Sequence, residues 1–380
     1  MSEVGLKLKK LGELVEIHNN KRIPLSSKER ANLSKIYPYY GAQGIVDYVD
    51  NYIFDGKYIL IAEDGENLKS NNKSICTLAT GKYWVNNHAH IVRANNENDT
   101  DYLFYKLNSI SFLPYITGSA QPKLNKENLL NIPVYVHEKA EQKNISKLLS
   151  KIDQKIALNN QINEELEAMA KTLYDYWFVQ FDFPDENGKP YKSSGGKMVY
   201  NDQLKREIPE GWGVENLSNF LTIKNGKDHK DLSDGNYPVY GSGGLMRKVE
   251  DYIFEGESVL IPRKGTLNNI MYVDEKFWTV DTMFYTHMKI DYAALYTYFS
   301  IKDIDFTKLN TGTGVPSMTA SILYQLQILN PNADILKNFD ELVRTTYRMI
   351  FDNRKQNQEL TQLRDWLLPM LMNGQVKVEE

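Results

Sequence analysis

The sequence predicts an α+β protein made of two similar halves: two β-rich mixed domains joined by two long antiparallel helices, with a pseudo-two-fold axis relating the copies. Three observations predict it. One segment recurs at a constant offset, each copy carries short β-rich runs broken by turn residues, and each copy ends in an apolar stripe at helical spacing.

The repeat comes first because it sets the architecture. Residues 38–56 read PYYGAQGIVDYVDNYIFDG and residues 238–256 read PVYGSGGLMRKVEDYIFEG, identical at nine of 19 positions. Chance would give roughly one match. The offset of 200 holds through residues 58–61 and 258–261, up to Gly65 and Gly265. Beyond them it drops to 194, so that Trp84 answers Trp278, Pro122 answers Pro316 and Asn163 answers Asn357. A length change confined to one stretch marks a surface loop, where binding contacts tend to sit.

Within copy one, Tyr52-Ile53-Phe54, residues 58–61, residues 75–78 and residues 132–136 read as strands bounded by Gly, Asn and Asp, with a helix near residues 101–107. The long stripe follows. Residues 139–178 contain neither Pro nor Gly, so a helix there could run roughly 60 Å. Leu148, Ile152, Ile156, Leu166 and Leu173 recur on one face, and copy two supplies Leu342, Ile350, Leu360 and Leu367. A helix of that length with one apolar face needs a partner, and its own duplicate is the economical one. The domain plan is therefore 1–137, helix 138–180, a Pro/Gly/Ser-bearing connector 181–207, second domain 208–331 and second helix 332–380.

Composition narrows the function classes. Cys76 is the only cysteine, which excludes a disulfide framework and a multi-thiolate zinc site. No apolar run approaches the ~20 residues of a membrane span and no leader opens at Met1, so the chain reads as soluble and cytoplasmic. His88 and His90 alternate, but no third and fourth metal ligand accompanies them. Gly312-Thr313-Gly314 lacks the Lys-Ser or Lys-Thr of a phosphate loop, and no Asn-Pro-Pro-aromatic motif or nuclease carboxylate cluster is evident. The expectation is a chain that does no chemistry itself.

Several words, in the same order twice, resemble the specificity subunits of Type I restriction-modification systems. They are IPEGWGVENLSNF from Ile208 and its counterpart LKKLGELVEI from Leu8, the turns YGAQG and YGSGG, TGSAQPKLNKENLLNIPV from Thr117, and EKAEQKNISKLLSKID from Glu138. Copy two has Asp334-Ile335-Leu336 where copy one has Glu141-Gln142, and copy one lacks the Pro-Glu-Gly-Trp opening. The resemblance implies two target-recognition domains, each reading one half of a split, asymmetric duplex DNA sequence. It also implies two methyltransferase subunits that use S-adenosylmethionine to methylate adenine, and restriction subunits that translocate and cut with ATP and Mg. No cofactor is implied for this chain.

Base edges are read by Arg, Lys, Asn and Gln, and phosphates by Lys, Arg, hydroxyls and backbone N–H groups. In the glycine-bearing loops of copy one the candidates are Lys21, Arg22, Tyr40, Gln43, Lys69, Lys73, Asn87, His88, Ser119, Gln121 and Lys123. In copy two they are Lys224, Lys227, Lys230, Tyr240, Ser242, Arg247, Arg263, Lys264, Asn268, Thr311 and Thr313. Between copies Asp47 becomes Arg247 and Glu63-Asp64 becomes Arg263-Lys264, as divergence toward a second DNA word, or plain loop drift, would produce. The net charge of −4 gives no support to a nucleic-acid partner. Two other readings stay open: the specificity module of a related methyltransferase-nuclease without a motor, and a duplicated β-rich adaptor that binds protein or glycan.

Overall fold

The computed structural model describes residues 5–65, 68, 75–118, 122–310, 314 and 316–378. It divides into two compact units, Met1–Asn159 with Arg354–Glu380, and Asn160–Asn353.

The first unit contains strands β1 (Lys7–Lys10), β2 (Val15–Ile17), β3 (Tyr37–Gly41), β4 (Gly44–Val49), β5 (Phe54–Asp55), β6 (Tyr58–Ala62), β7 (Cys76–Ala79), β8 (Lys82–Val85), β9 (Ala89–Ala94) and β10 (Pro133–Val136). Its helices are α1 (Ser27–Ala31), α2 (Thr100–Asn108), α3 (Lys126–Leu130) and the first part of α4 (Lys139–Tyr174). One sheet runs β2-β9-β6-β7, a second β4-β3-β8-β5, and β1 pairs with β10. Strand β6 is buried at all five positions because both its faces are covered. Ile59 and Ile61 face the core formed with Tyr102 and Leu103 of α2, Leu129 of α3 and Ile145 of α4. Tyr58 and Leu60 face the smaller core of Tyr40, Phe54 and Tyr83. Helix α2 begins where Asp99 accepts the Tyr102 N–H, an N-cap that satisfies an otherwise unpaired donor.

The second unit repeats the plan with β11 (Met198–Asn201), β12 (Arg206–Pro209), β13 (Gly213–Asn216), β14 (Leu221–Asn225), β15 (Asp234–Gly241), β16 (Gly244–Val249), β17 (Phe254–Pro262), β18 (Met271–Thr279), β19 (Met283–Met288) and β20 (Gln327–Asn330). Helices α5 (Leu217–Phe220), α6 (Ala294–Lys302), α7 (Ala320–Tyr324) and the first part of α8 (Ala333–Met372) complete it. Here one six-stranded sheet runs β14-β19-β17-β18-β15-β16. Val259 and Ile261 face one core and Leu260 the other, as their counterparts Ile59, Ile61 and Leu60 do.

The segment expected to be a connector is folded into this unit. Strand β11 pairs with β12, and Phe183 stacks between Tyr191 at 4.7 Å and Trp212 at 5.0 Å. Its Pro, Gly and Ser residues mark turns, while its aromatic residues supply the burial that a free linker lacks. Likewise the helix expected to reach Phe178 is α-helical only to Tyr174 and ends in a π-turn, Asp175–Val179.

In each unit α4 and α8 lie antiparallel. In the first, Arg364 pairs with Asp153 at 2.8 Å, and Leu148 and Leu367 flank the core that holds Leu149 and Leu371. In the second, Phe178 and Phe339 meet edge to face at 4.9 Å, with Leu166 and Leu173 packed on the same core. Ile152 and Ile350 are buried, Ile156 and Leu360 half-buried. Leu342 departs from the pairing expected for it: it is 55% exposed, because Phe339, Val343, Tyr347 and Ile350 form the inward row at that end of α8. With Met169, Leu173 and Tyr176 it lines an open apolar groove.

Candidate nucleic-acid interface

In the first unit, four stretches distant in sequence are tied together by backbone hydrogen bonds. The β3–β4 hairpin turns at Ala42-Gln43 between the paired Gly41 and Gly44, and Gly44 adopts φ +97°, which only glycine takes without strain. The Asn86 N–H donates to the Tyr40 carbonyl at 3.0 Å. The Glu63 N–H donates to the His88 carbonyl at 2.9 Å, and the Leu124 N–H to the Glu63 carbonyl at 2.8 Å. Asp64 and Lys123 form a bridge between chain segments. Tyr40, Gln43, Asn87, His88 and Lys123 are thus brought together.

Their side chains differ in freedom. Gln43 and Asn87 are exposed on the turns, and Lys21 is exposed on its own turn, Asn19–Lys21. Tyr40 is buried in the smaller core. His88 Nδ1 meets both carboxylate oxygens of Asp64 at 2.9 Å. Arg22 is turned inward: its Nη1 contacts Glu63 Oε2 at 2.6 Å and donates to the carbonyls of Ala89 and Asn87, and its Nε donates to Asn19. Burial would raise the Glu63 carboxyl, but Arg22, His90 and Lys123 outweigh it and hold the group below its ordinary range. His90 is fully buried: its Nε2 bonds the Leu124 carbonyl at 2.7 Å and its Nδ1 the Asn19 amide at 2.8 Å, and burial lowers its pKa. It is a structural histidine, and among the described residues no group of His, Cys, Asp and Glu could hold a metal ion.

The second unit uses the same frame. The Val280 N–H donates to Tyr240, Arg263 N–H to Thr282 at 2.8 Å, and Met318 N–H to Arg263 at 2.8 Å, with Lys264 bridged to Ser317. Asn269 Nδ2 holds the Ser242 carbonyl at 2.9 Å. The charge it carries is different. Lys264 is exposed, and Arg263 rests 5.9 Å above the Phe284 ring with one long bond, 3.4 Å, to the Asp281 carbonyl. Lys224, Lys227 and Lys230 are exposed as well, Lys230 lying 3.9 Å from Asp228.

Three candidates of this unit are committed elsewhere. Arg247 donates to the carbonyls of His229 and Leu232 and lies 3.5 Å from Asp234. Asp47, its counterpart, is held by Arg30 and Lys35 at 2.9 Å, which puts its carboxyl well below the ordinary range. The exchange of Asp47 for Arg247 is therefore compensated inside each unit. Asn268 caps the turn at Asp305 and Phe306, and Tyr240 donates its hydroxyl to Glu275 at 2.6 Å. Lys69, Lys73, Ser119, Gln121, Thr311 and Thr313 lie outside the described residues.

Sequence reasoning placed Asn19, Asn86 and Asn269 inside stretches nominated for DNA contact and missed that they hold the turns in place. A short amide that bonds backbone looks in sequence the same as one that faces solvent. It also passed over Ile45 and Val46 beside the first turn and Leu245 and Met246 beside the second, each about half exposed at the same place in both copies.

The family model described as Type I restriction modification DNA specificity domain matches residues 3–168 and again 209–350. The chain belongs to the Type I specificity-subunit family. Among relatives in the family, the Haemophilus influenzae specificity subunit S.HindORF215P is 31% identical over 245 residues, 64% of this chain and 58% of that one. The MjaIX specificity subunit of Methanocaldococcus jannaschii is 26% identical over 320 residues, 74% of this chain and 70% of that one. The crystal structure of a Type I S subunit from M. genitalium superposes with a TM-score of 0.68 at 15% identity, over 98% of this chain and 97% of that one, and so shares the fold. The two matched segments of this Type I specificity subunit correspond to the two copies of its repeat.

Proposed function

We propose that the chain recognises a split, asymmetric duplex DNA target, one short word per unit, and directs adenine methylation and restriction by partner subunits. The observation that carries this reading is the common backbone frame of the two loop clusters with different charge on it. Glu63 is paired with Arg22 and Lys123 and Asp64 with the His88 imidazole, whereas Arg263 and Lys264 have no ion-pair partner among the described residues. One frame with two sets of side chains is what two different words require. Gln43 and Asn87 offer paired donors and acceptors for adenine, Arg263 and Lys264 for guanine or phosphate. The exposed Ile45–Val46 and Leu245–Met246 pairs offer apolar contact to thymine methyl groups.

The chain does no chemistry in this proposal. S-adenosylmethionine belongs to two methyltransferase subunits, and ATP and Mg to the restriction subunits, all in the cytoplasm. The open groove of Met169, Leu173, Tyr176 and Leu342 supplies the apolar surface on which methyltransferase subunits would dock. Among the described residues no helix is long and apolar enough to cross a membrane.

The test is a map of adenine methylation in the host with and without this chain. The expected result is one bipartite motif that disappears on deletion. If none disappears and the purified complex ignores duplex DNA, a protein- or glycan-binding adaptor replaces this reading.

A further inference from the structure

Along α4 the residues buried between its two apolar ends run Ile152, Asn159, Asn163 and Ala170. This is the seven-and-four spacing of a helix-pair seam, yet its two inner members are asparagines. In the first unit Asn159 Nδ2 donates to Asn357 Oδ1 at 2.9 Å and to Gln356 Oε1 at 2.7 Å. In the second, Asn353 Nδ2 donates to Asn163 Oδ1 at 2.9 Å. Under the 194-residue offset Asn353 is the counterpart of Asn159, and Asn357 of Asn163. Each asparagine therefore bonds the counterpart of the other, and four steps forward on α4 match four steps back on α8.

That arithmetic selects one register. A slip of one turn in one direction would keep Asn163 opposite Asn357 but set Asn159 against Thr361 and Asn353 against Glu167. A slip in the other direction would keep Asn159 opposite Asn353 but set Asn163 against Met349 and Asn357 against Lys155. Either slip loses one of the two amide pairs, and a desolvated amide without its partner is costly. Apolar side chains at these positions would tolerate a slip far better, and for that reason a polar pair in a helix seam specifies register.

We propose that Asn159, Asn163, Asn353 and Asn357 are positioning residues that fix α4 against α8 in one register. Through that register they set the number of unread base pairs between the two DNA words; this second step rests on the DNA-reading function proposed for the chain. Rotation about the duplex is tied to distance along it at about 10.5 base pairs per ~34 Å, so a one-turn slip would be read as a different target.

The experiment uses the full chain coexpressed with its methyltransferase subunits. Cys76 is buried, so introduced cysteine pairs can be oxidised selectively. Ile156→Cys with Leu360→Cys reports the observed register, and Ile156→Cys with Arg364→Cys a slip of one turn. In the Asn353→Thr/Thr361→Asn variant, which moves the α8 amides by one turn, the disulfide is expected to shift from position 360 to position 364. Single-molecule mapping of methyladenine is expected to show both half-words unchanged with an altered spacer. Replacing all four asparagines by leucine keeps a packable seam, and is expected to give both disulfides and more than one spacer length. A disulfide at position 360 alone and the parental spacer in both variants would overturn the proposal. If the parental complex methylates no split word, the DNA reading fails, while the disulfides still decide the register.

Discussion

The guanidinium of Arg22 lies 2.6 Å from Glu63 Oε2, with both side chains largely buried. The contact turns a residue expected to read DNA into the keystone of the loops proposed to do so. Truncating it leaves Glu63, next to a buried histidine, with only the more distant Lys123 as a cation, and removes side-chain bonds to three carbonyls. Arg22→Ala is expected to destabilise the first unit by about 3 kcal/mol. Peptide-resolved hydrogen exchange should show the loss in β6, β9 and residues 86–88 and leave the second unit unchanged.

Arg263 and Lys264 occupy the same frame with their charge unspent. Arg263→Ala is expected to cost roughly 1–3 kcal/mol of binding and to relax one half-word only, if it reads a base. Lys264→Ala is expected to lower the slope of log K against log salt by about 0.9, if it holds a phosphate. Salt titrations of the assembled complex, together with methylation maps, separate the two roles.

The apolar groove of the second unit gives a third expectation. Leu342→Glu and Met169→Glu change exposed positions, so the stability of the chain should move by no more than about 0.5 kcal/mol. Copurification with methyltransferase subunits should be lost. Retention of those subunits by both variants would remove the groove from the docking surface.

Acid should act on the first unit before the second. Burial lowers the pKa of His18, His90 and His137 from the ordinary 6.5, whereas in the second unit only His287 is shifted this way. A histidine that resists protonation in the folded state contributes its full stability above pH 6.5. As pH falls through 6.5 toward the folded-state value, the unfolded chain takes up the proton first and stability is lost. Thermal unfolding between pH 7.5 and pH 5.5 should show the first unit weakening more, and His90→Gln should flatten that dependence.

How far the sequence carried these conclusions depended on the range of the interaction involved. The duplication, the strands at residues 58–61 and 132–136, and the long helices were legible because offset identity and apolar period are local patterns. The folded connector was not, since stacking of Phe183 on Trp212 joins residues whose proximity no period announces. The structure brings loop candidates such as Tyr40, Gln43, Asn87 and Lys123 together, but the part each side chain plays was illegible in sequence. Arg22, Arg247 and Arg263 are the same residue type in similar loops. Only tertiary contacts show that the first two are tied to carbonyls and carboxylates of their own unit while the third stays largely free. Leu342 was misplaced for a smaller reason: the stripe at that end of α8 is wide enough that its edge faces water.

The first unit is closed by the last turn of α8. Leu371 and Met372 are almost fully buried against Leu11, Tyr102 and Ile145, and the Lys106 ammonium donates to the Met372 carbonyl at 2.8 Å. The earlier segment of the first unit must therefore wait, with its apolar surface incomplete, until Leu371 and Met372 have been translated, while Asn160–Asn353 is contiguous and can form beforehand. A prematurely terminated product would display an unfinished core at its amino-terminal half. Proteolysis would then remove such truncated chains before they assemble.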